Sequence, residues 1–209
     1  MSMDSAEFFV ERWMAKYRKY DFNVFREAYL FAVDPSGLCM RSGEAEAFAI
    51  RFLEKFPSRS VETLNRLYSA IRSPSWLNKG PETAEQLAFQ IMDKYDDARI
   101  YTLLQVIEFA RHKEGMAMTP ERALAFGYEW LQKFPTRDFG TFKVAFKFAH
   151  SATGLNLPKE DAVLFAKRWV MDYSTKDFHK FRERFEEAVS SKGLGLSVPA
   201  AIEYALSRI

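Results

Sequence analysis

Residues 119–157 read TPERALAFGYEWLQKFPTRDFGTFKVAFKFAHSATGLNL, and this stretch decides the fold. Its first part places apolar residues three and four positions apart, which puts them on one face of a helix. Thr119, Pro120 and Glu121 form a helix start, because a hydroxyl cap precedes a proline at the first helical position and an acid near the positive helix end. Pro135 predicts the end of that helix, so the stretch predicts two helices joined by a short corner.

The same pattern returns every 39 residues along the chain. The aromatic residue that closes the first helix of each copy lies at Tyr17, Phe56, Tyr95, Phe134 and Tyr173. An alanine near the start of that helix lies at Ala6, Ala45, Ala84, Ala123, Ala162 and Ala201. The second helix opens with Phe22, Val61, Ile100, Phe139 and Phe178. A spacing kept without insertion or deletion indicates a tandem repeat.

The copies predict one repeat domain over residues 1–209. Its repeats are 6–44, 45–83, 84–122, 123–161 and 162–200, followed by a terminal helix at 201–209. One pair of short helices cannot bury a broad aromatic stripe, whereas stacked pairs bury it between neighbours. The predicted fold is therefore all-α, an α-solenoid of five helix pairs plus a terminal helix. It resembles HEAT and armadillo repeats in architecture alone, and this resemblance carries over no functional residues.

The register also predicts local details of each copy. Glycines follow the second helix at Gly37, Gly115, Gly154 and Gly193, where we expect a left-handed backbone. The cap position of the second helix holds Asp21, Ser60, Asp138 and Asp177. The third copy has Arg99 there, which predicts a looser helix start. Trp76 replaces the glycine of the second copy, and two interpretations stay open: a displaced core residue and an exposed aromatic anchor.

Composition limits the classes of function. The chain has 209 residues, and 30 basic against 28 acidic residues leave a net charge of +2, which argues against an obligatory polyanion partner. The single cysteine, Cys39, excludes an intramolecular disulfide and suits a reducing compartment. The sequence has no secretory signal and no apolar run of membrane-spanning length. We therefore expect a cytoplasmic protein without a membrane partner, although export without a cleavable signal stays open.

The sequence offers little for catalysis. Its three histidines, His112, His150 and His179, fall at different register positions, and none has a second metal ligand three or four residues on in a plausible metal-binding pattern. HExxH, glycine-rich phosphate loops and nucleophile elbows are all absent from the sequence. We therefore expect no enzyme, no cofactor and no metal site.

The face of the second helix that lies opposite its apolar face has different residues from copy to copy. A constant scaffold with a changing face is typical of a binding repeat, and second helices often line the concave side of helix-pair solenoids. We therefore expect a scaffold-like interaction module that binds a protein or peptide partner. The predicted contact residues are Arg26, Arg66, Arg72, Trp76, Tyr101, Arg111, Lys143, Lys147 and Arg182.

Two alternatives stay open. A nucleic-acid-binding repeat would carry a basic residue at one register position of every copy. The set Arg26, Lys143 and Arg182 comes closest to this, but Asn65 and Leu104 interrupt it. The other alternative is a structural segment of a longer array, because the helix at 201–209 stops one turn short of a full first helix. Such a segment would self-associate end to end through 201–209.

Overall fold

The computed structural model describes residues 11, 13–134 and 139–209, and the predictions made for Ala6, Pro135 and Asp138 fall outside these ranges. Within them, helix is the only regular secondary structure. Residues 13–16 are helical. The further helices are α1 Phe22–Val33, α2 Ser42–Lys55, α3 Val61–Arg72, α4 Pro81–Lys94, α5 Asp97–Arg111, α6 Pro120–Lys133, α7 Phe139–His150, α8 Lys159–Asp172, α9 Phe178–Val189 and α10 Val198–Ser207.

The helix boundaries follow the period of the sequence. Helices α2, α4, α6, α8 and α10 begin at residues 42, 81, 120, 159 and 198, each 39 residues after the one before. The second helices α1, α3, α5, α7 and α9 end at residues 33, 72, 111, 150 and 189, with the same interval. An all-α fold is therefore confirmed, and its periodicity is consistent with a helical repeat.

The chain divides within α5 into two compact units, one ending at Leu104 and one starting at Gln105. In the N-terminal unit, α1 packs on α2 and α3, and α3 packs on α4. In the C-terminal unit, α7 packs on α8 and α9 packs on α10. Each second helix in these pairs therefore packs against the first helix of the following copy. Aromatic side chains fill the core, including Phe48 and Phe52 in one unit and Trp130 and Trp169 in the other.

The backbone N–H groups at the start of the second helices are hydrogen-bonded by nearby side chains, as the sequence predicts in most copies. The side chains of Asp21, Ser60 and Asp177 accept hydrogen bonds from first-turn backbone N–H groups, which confirms them as caps. The prediction of a loose start at Arg99 was wrong. Helix α5 instead begins at Asp97, and the Asp96 carboxylate accepts from the Arg99 N–H at 2.8 Å.

In the four copies that have it, the glycine after the second helix lies in close contact with the backbone of that helix, and the left-handed conformation predicted for it was wrong. A Cβ on Gly154 would overlap the carbonyl oxygen of Phe148, and the other three glycines face the equivalent carbonyl. The left-handed residue lies two positions later, where φ is between 52° and 62°. These left-handed residues are Cys39, Asn78, Ala117, Asn156 and Gly195.

Trp76 is buried, with 5% of its surface exposed, which is the first of the two placements that the sequence left open. In the first copy the ring of Phe31 lies against Gly37, since a Cβ there would be 3.2 Å from Phe31 Cδ2. The second copy has Ala70 in place of that phenylalanine and Trp76 in place of that glycine. The second copy therefore has its large aromatic residue in the loop and a small residue in the helix.

A cation from the inter-helix corner of one copy caps the first helix of the next. The Arg59 guanidinium donates to the carbonyl oxygens of Met92, at 2.9 Å, and Tyr95 at the end of α4. Lys176, at the equivalent position, donates to the carbonyl oxygens of Leu206 at 3.1 Å and Ile209 at 2.7 Å. These bonds satisfy carbonyl groups that a helix end leaves without intrahelical partners.

We expect Gly154→Ala to lower the free energy of unfolding by about 1–3 kcal/mol, because its Cβ would overlap the Phe148 carbonyl oxygen and the loop would have to shift away from α7. The control is Gly43→Ala, since Gly43 in α2 faces open space. Denaturant unfolding followed by circular dichroism measures both variants. Equal stability of the two variants would contradict the close-approach role.

Replacement of Arg59 by Met keeps the aliphatic stem and removes the hydrogen bonds to α4. We expect a loss of about 1–3 kcal/mol, because hydrogen bonds from charged donors are stronger than neutral ones. Arg51→Met is the matched control, since Arg51 is exposed and its ion pair with Glu85 spans only side chains. A smaller loss for Arg59→Met than for the control would argue against capping between copies.

Candidate functional site

The described parts of the chain limit what kind of site is available. Within residues 11, 13–134 and 139–209, histidine, cysteine and carboxylate side chains form no group of three or more that could hold a metal ion. No helix in the same ranges combines the length and apolar character that crossing a membrane requires. Surface grooves between helices remain as the candidate sites.

One groove lies between the second helices α3 and α5 of the N-terminal unit. It has a volume of about 250 Å³ and is lined by Ser60, Glu62, Thr63, Arg66, Asp97, Ile100, Tyr101 and Leu104. We call it the 60–104 groove. Tyr101 is 54% exposed and supplies apolar surface. Arg66 is paired with Glu62 one helical turn away at 2.5 Å. This groove therefore brings together two of the predicted contact residues, Arg66 and Tyr101.

A second groove lies between the second helices α7 and α9 of the C-terminal unit. It has a volume of about 320 Å³ and is lined by Val144, Lys147, Phe148, Ser151, Thr153, Arg182 and Glu186. We call it the 144–186 groove. Val144 is 40% exposed. The Arg182 Nε donates to Glu186 at 2.7 Å, and this carboxylate raises the pKa of Arg182 above its ordinary value. Two further predicted residues, Lys147 and Arg182, therefore share one groove.

The two grooves lie at equivalent register positions but differ in charge. Val144 is two periods, or 78 residues, after Arg66, and Arg182 is 78 residues after Leu104. The 60–104 groove has two carboxylates, Glu62 and Asp97, and one cation, Arg66. The 144–186 groove has two cations and one carboxylate. Asp97 also lies 3.3 Å from the Arg59 guanidinium, so both carboxylates of the 60–104 groove are paired, whereas Lys147 in the 144–186 groove forms no ion pair within the described residues.

Other predicted residues have local structural partners. The Arg72 guanidinium lies 5.5 Å from the Tyr68 ring centroid and donates to its hydroxyl at 3.4 Å. Arg111 is half-buried and donates to the Met118 carbonyl oxygen at 2.7 Å. The ring of His150, one period later, binds the Leu157 carbonyl oxygen at 2.8 Å. This register position therefore supports the loop after the second helix.

The remaining predicted residues lie at the surface or in the core. Arg26 is exposed on α1. Lys143 is half-buried, and its Nζ lies 5.7 Å from the Phe139 ring centroid. Trp76 is buried and offers little surface to a partner. The structure thus gathers Arg66 with Tyr101 and Lys147 with Arg182, and leaves the other predicted residues outside these two grooves.

Sequence reasoning missed two features of the surface. Val144 was not among the predicted contact residues, although an apolar residue on the polar arc of α7 is the signal that identifies it. A larger groove of about 540 Å³ lies between the first helices α6 and α8, where Leu164 is 64% exposed. The three preceding copies have Ala47, Gln86 and Ala125 at the position of Leu164. Alignment of the copies could therefore have identified Leu164 as a larger apolar residue at this position.

Glu129 lies in this α6–α8 groove and is bound by two lysines. Lys167 Nζ lies 2.9 Å and Lys133 Nζ lies 3.0 Å from its carboxylate. Burial raises the pKa of Glu129, but the hydrogen bonds from Lys167 and Lys133 outweigh burial and hold it below its ordinary value. The stabilisation that ionised Glu129 contributes to folding is therefore complete at pH values above about 4.3, the pKa of glutamate in an unfolded chain. It is lost as the pH falls through the lower folded value.

We expect Glu129→Gln to lower the free energy of unfolding near neutral pH by about 0.5–1 kcal/mol, since the carboxylate is partly exposed and water screens the pair. The difference from the wild type should shrink as the pH falls below about 4, because both side chains are then neutral. Urea unfolding across this pH range measures the effect. Glu203→Gln, on the exposed side of α10, is the control. An identical pH profile for the two variants would contradict the role of Glu129.

Comparison with protein-family models, with curated proteins and with solved structures finds no match to this chain. The geometry and charge of the grooves therefore indicate which residues could bind a partner. Of these grooves, the 60–104 and 144–186 grooves lie on the second-helix face and contain the predicted residues. Each of them is a candidate binding surface within its own unit.

Proposed function

We propose that this chain is a non-enzymatic α-helical repeat module that binds a protein or peptide partner along the surface of its second helices. The proposed architecture is an α-solenoid of five helix pairs and a terminal helix within one domain. The 39-residue interval between helix boundaries supports this architecture. A cytoplasmic location accompanies the proposal, because Cys39 is a free and exposed thiol.

One observation carries the binding role. Each of the two grooves combines an exposed apolar side chain with an arginine–glutamate pair: Tyr101 with Arg66–Glu62, and Val144 with Arg182–Glu186. Protein interfaces commonly place an apolar anchor inside a polar rim. Volumes of about 250 and 320 Å³ suit one or two side chains of a partner and lie at the low end for a small-molecule site.

The distribution of basic side chains favours a protein partner over nucleic acid. A phosphate track depends on an available basic side chain at one register position of every copy. Arg26, Lys143 and Arg182 share one position, but Asn65 and Leu104 interrupt it. Arg66 is paired with Glu62, and the Arg111 guanidinium donates to the Met118 carbonyl oxygen. The predicted basic residues therefore form no continuous row along the second helices.

Selection of peptides from a displayed random library on the immobilised chain tests this function. We expect selected peptides to bind the second-helix face, with affinities measured by fluorescence anisotropy. A peptide that occupies the 60–104 groove should lose about tenfold or more in affinity with Tyr101→Ser, and a peptide that occupies the 144–186 groove should lose as much with Val144→Ser. A tenfold loss corresponds to about 1.4 kcal/mol of binding free energy. Leu164→Ser is the matched control, because Leu164 is exposed on the first-helix face.

Three results would contradict the proposal. Loss of binding with Leu164→Ser alone would place the site on the first helices. Salt-sensitive retention of mixed-sequence RNA, without peptide selection, would favour a nucleic-acid-binding repeat. A mass that grows with protein concentration, again without peptide selection, would favour a self-assembling segment.

A further inference from the structure

The 144–186 groove contains positive charge that no carboxylate among the described residues neutralises. Helix α7 has the sequence FGTFKVAFKFAH, with two lysines and no Asp or Glu among its 12 residues. Lys147 is exposed and lines the groove. Across the described residues it forms no ion pair. Its ammonium group is therefore available to an acceptor from outside the chain.

Arg182 lies on the other wall of the same groove and is held in a defined position. Its Nε donates to Glu186 at 2.7 Å, one turn along α9. A guanidinium has five N–H donors, so the terminal nitrogens are left for a second acceptor. Arginine donors match the two oxygens of a carboxylate in a planar arrangement. Glu186 therefore orients Arg182 and leaves part of its donor set unused.

The groove also offers apolar surface and hydroxyl groups. Val144 is exposed, while Phe148 is buried at its floor. Ser151 and Thr153 are joined by a 2.9 Å hydrogen bond between their hydroxyl groups. Two cations beside an apolar surface complement a carboxylate that is next to an apolar side chain. Phosphate groups of nucleic acid would match the cations but not Val144.

We propose that the 144–186 groove takes an acidic peptide segment in which Asp or Glu is next to an aliphatic or aromatic residue. The carboxylate binds between Lys147 and Arg182, and the apolar residue packs on Val144. This inference rests on the proposed function. The 60–104 groove supplies an internal contrast, because its two carboxylates are already paired, Glu62 with Arg66 and Asp97 with Arg59.

Short fluorescein-labelled peptides test the charge preference. One peptide consists of leucine and glutamate, and the others replace every glutamate by glutamine or by lysine. At low salt we expect the glutamate peptide to bind at least about tenfold more tightly than the glutamine peptide. Lys147→Glu and Arg182→Gln should each remove about tenfold or more of that affinity, whereas Lys147→Arg should retain it. Arg168→Gln, on the first helix α8 and paired with Asp172 one turn away as Arg182 is with Glu186, should leave it unchanged.

The outcomes separate this inference from the proposed function. Equal binding of the glutamate and glutamine peptides, or equal loss with Arg168→Gln, overturns the acidic partner and leaves peptide binding in place. No binding by any of the peptides, together with a failed library selection, overturns both. Binding of mixed-sequence RNA that is lost with Lys147→Glu, without binding of the glutamate peptide, makes nucleic acid the occupant and overturns the inference.

Discussion

The burial of an aromatic stripe that no single helix pair can cover is the constraint on which the rest of the structure depends. In the N-terminal unit the Phe31 ring meets Tyr68 of the following second helix at 5.5 Å, nearly perpendicular to it. In the C-terminal unit Phe148 meets Phe185 at 5.3 Å with the same geometry. Such contacts place the helices side by side and fix the length of the connecting loop. A period without insertions follows, because an added residue would rotate the next stripe away from its partner.

The same constraint decides which residues are free to vary. Positions that face a neighbouring helix have to remain apolar, and the glycine after the second helix is close to the backbone of that helix in four copies. In the second copy Ala70 and a buried Trp76 replace the phenylalanine and glycine of the first copy together. On the outer arc of the second helices, side chains such as Tyr101 and Lys147 are exposed. Charge and shape at these exposed positions can therefore change without loss of packing, which suits a binding surface.

Much of the fold could be predicted from the sequence, because helix period, caps and proline positions are local signals. The role of Gly154 could not, since glycine serves both left-handed turns and close approach, and only the position of the Phe148 carbonyl distinguishes them. The position of the candidate site was partly predictable. Register showed which residues share a face and so identified Arg66 and Lys147. It did not show that Arg111 reaches a loop carbonyl seven residues away, because that contact depends on how the loop folds back.

The charge in the second-helix grooves bears on which partners they can bind. If the second-helix face were only a solvated surface, its cations and anions would be expected to pair freely within each helix, as Arg66–Glu62 and Arg182–Glu186 do. Helix α7 departs from this, because its lysines have no carboxylate on their own helix. Lys147 therefore leaves unbalanced charge at the edge of an apolar groove. Charge of this kind contributes little to folding but selects between partners, since an acidic segment gains from it and a basic one is repelled.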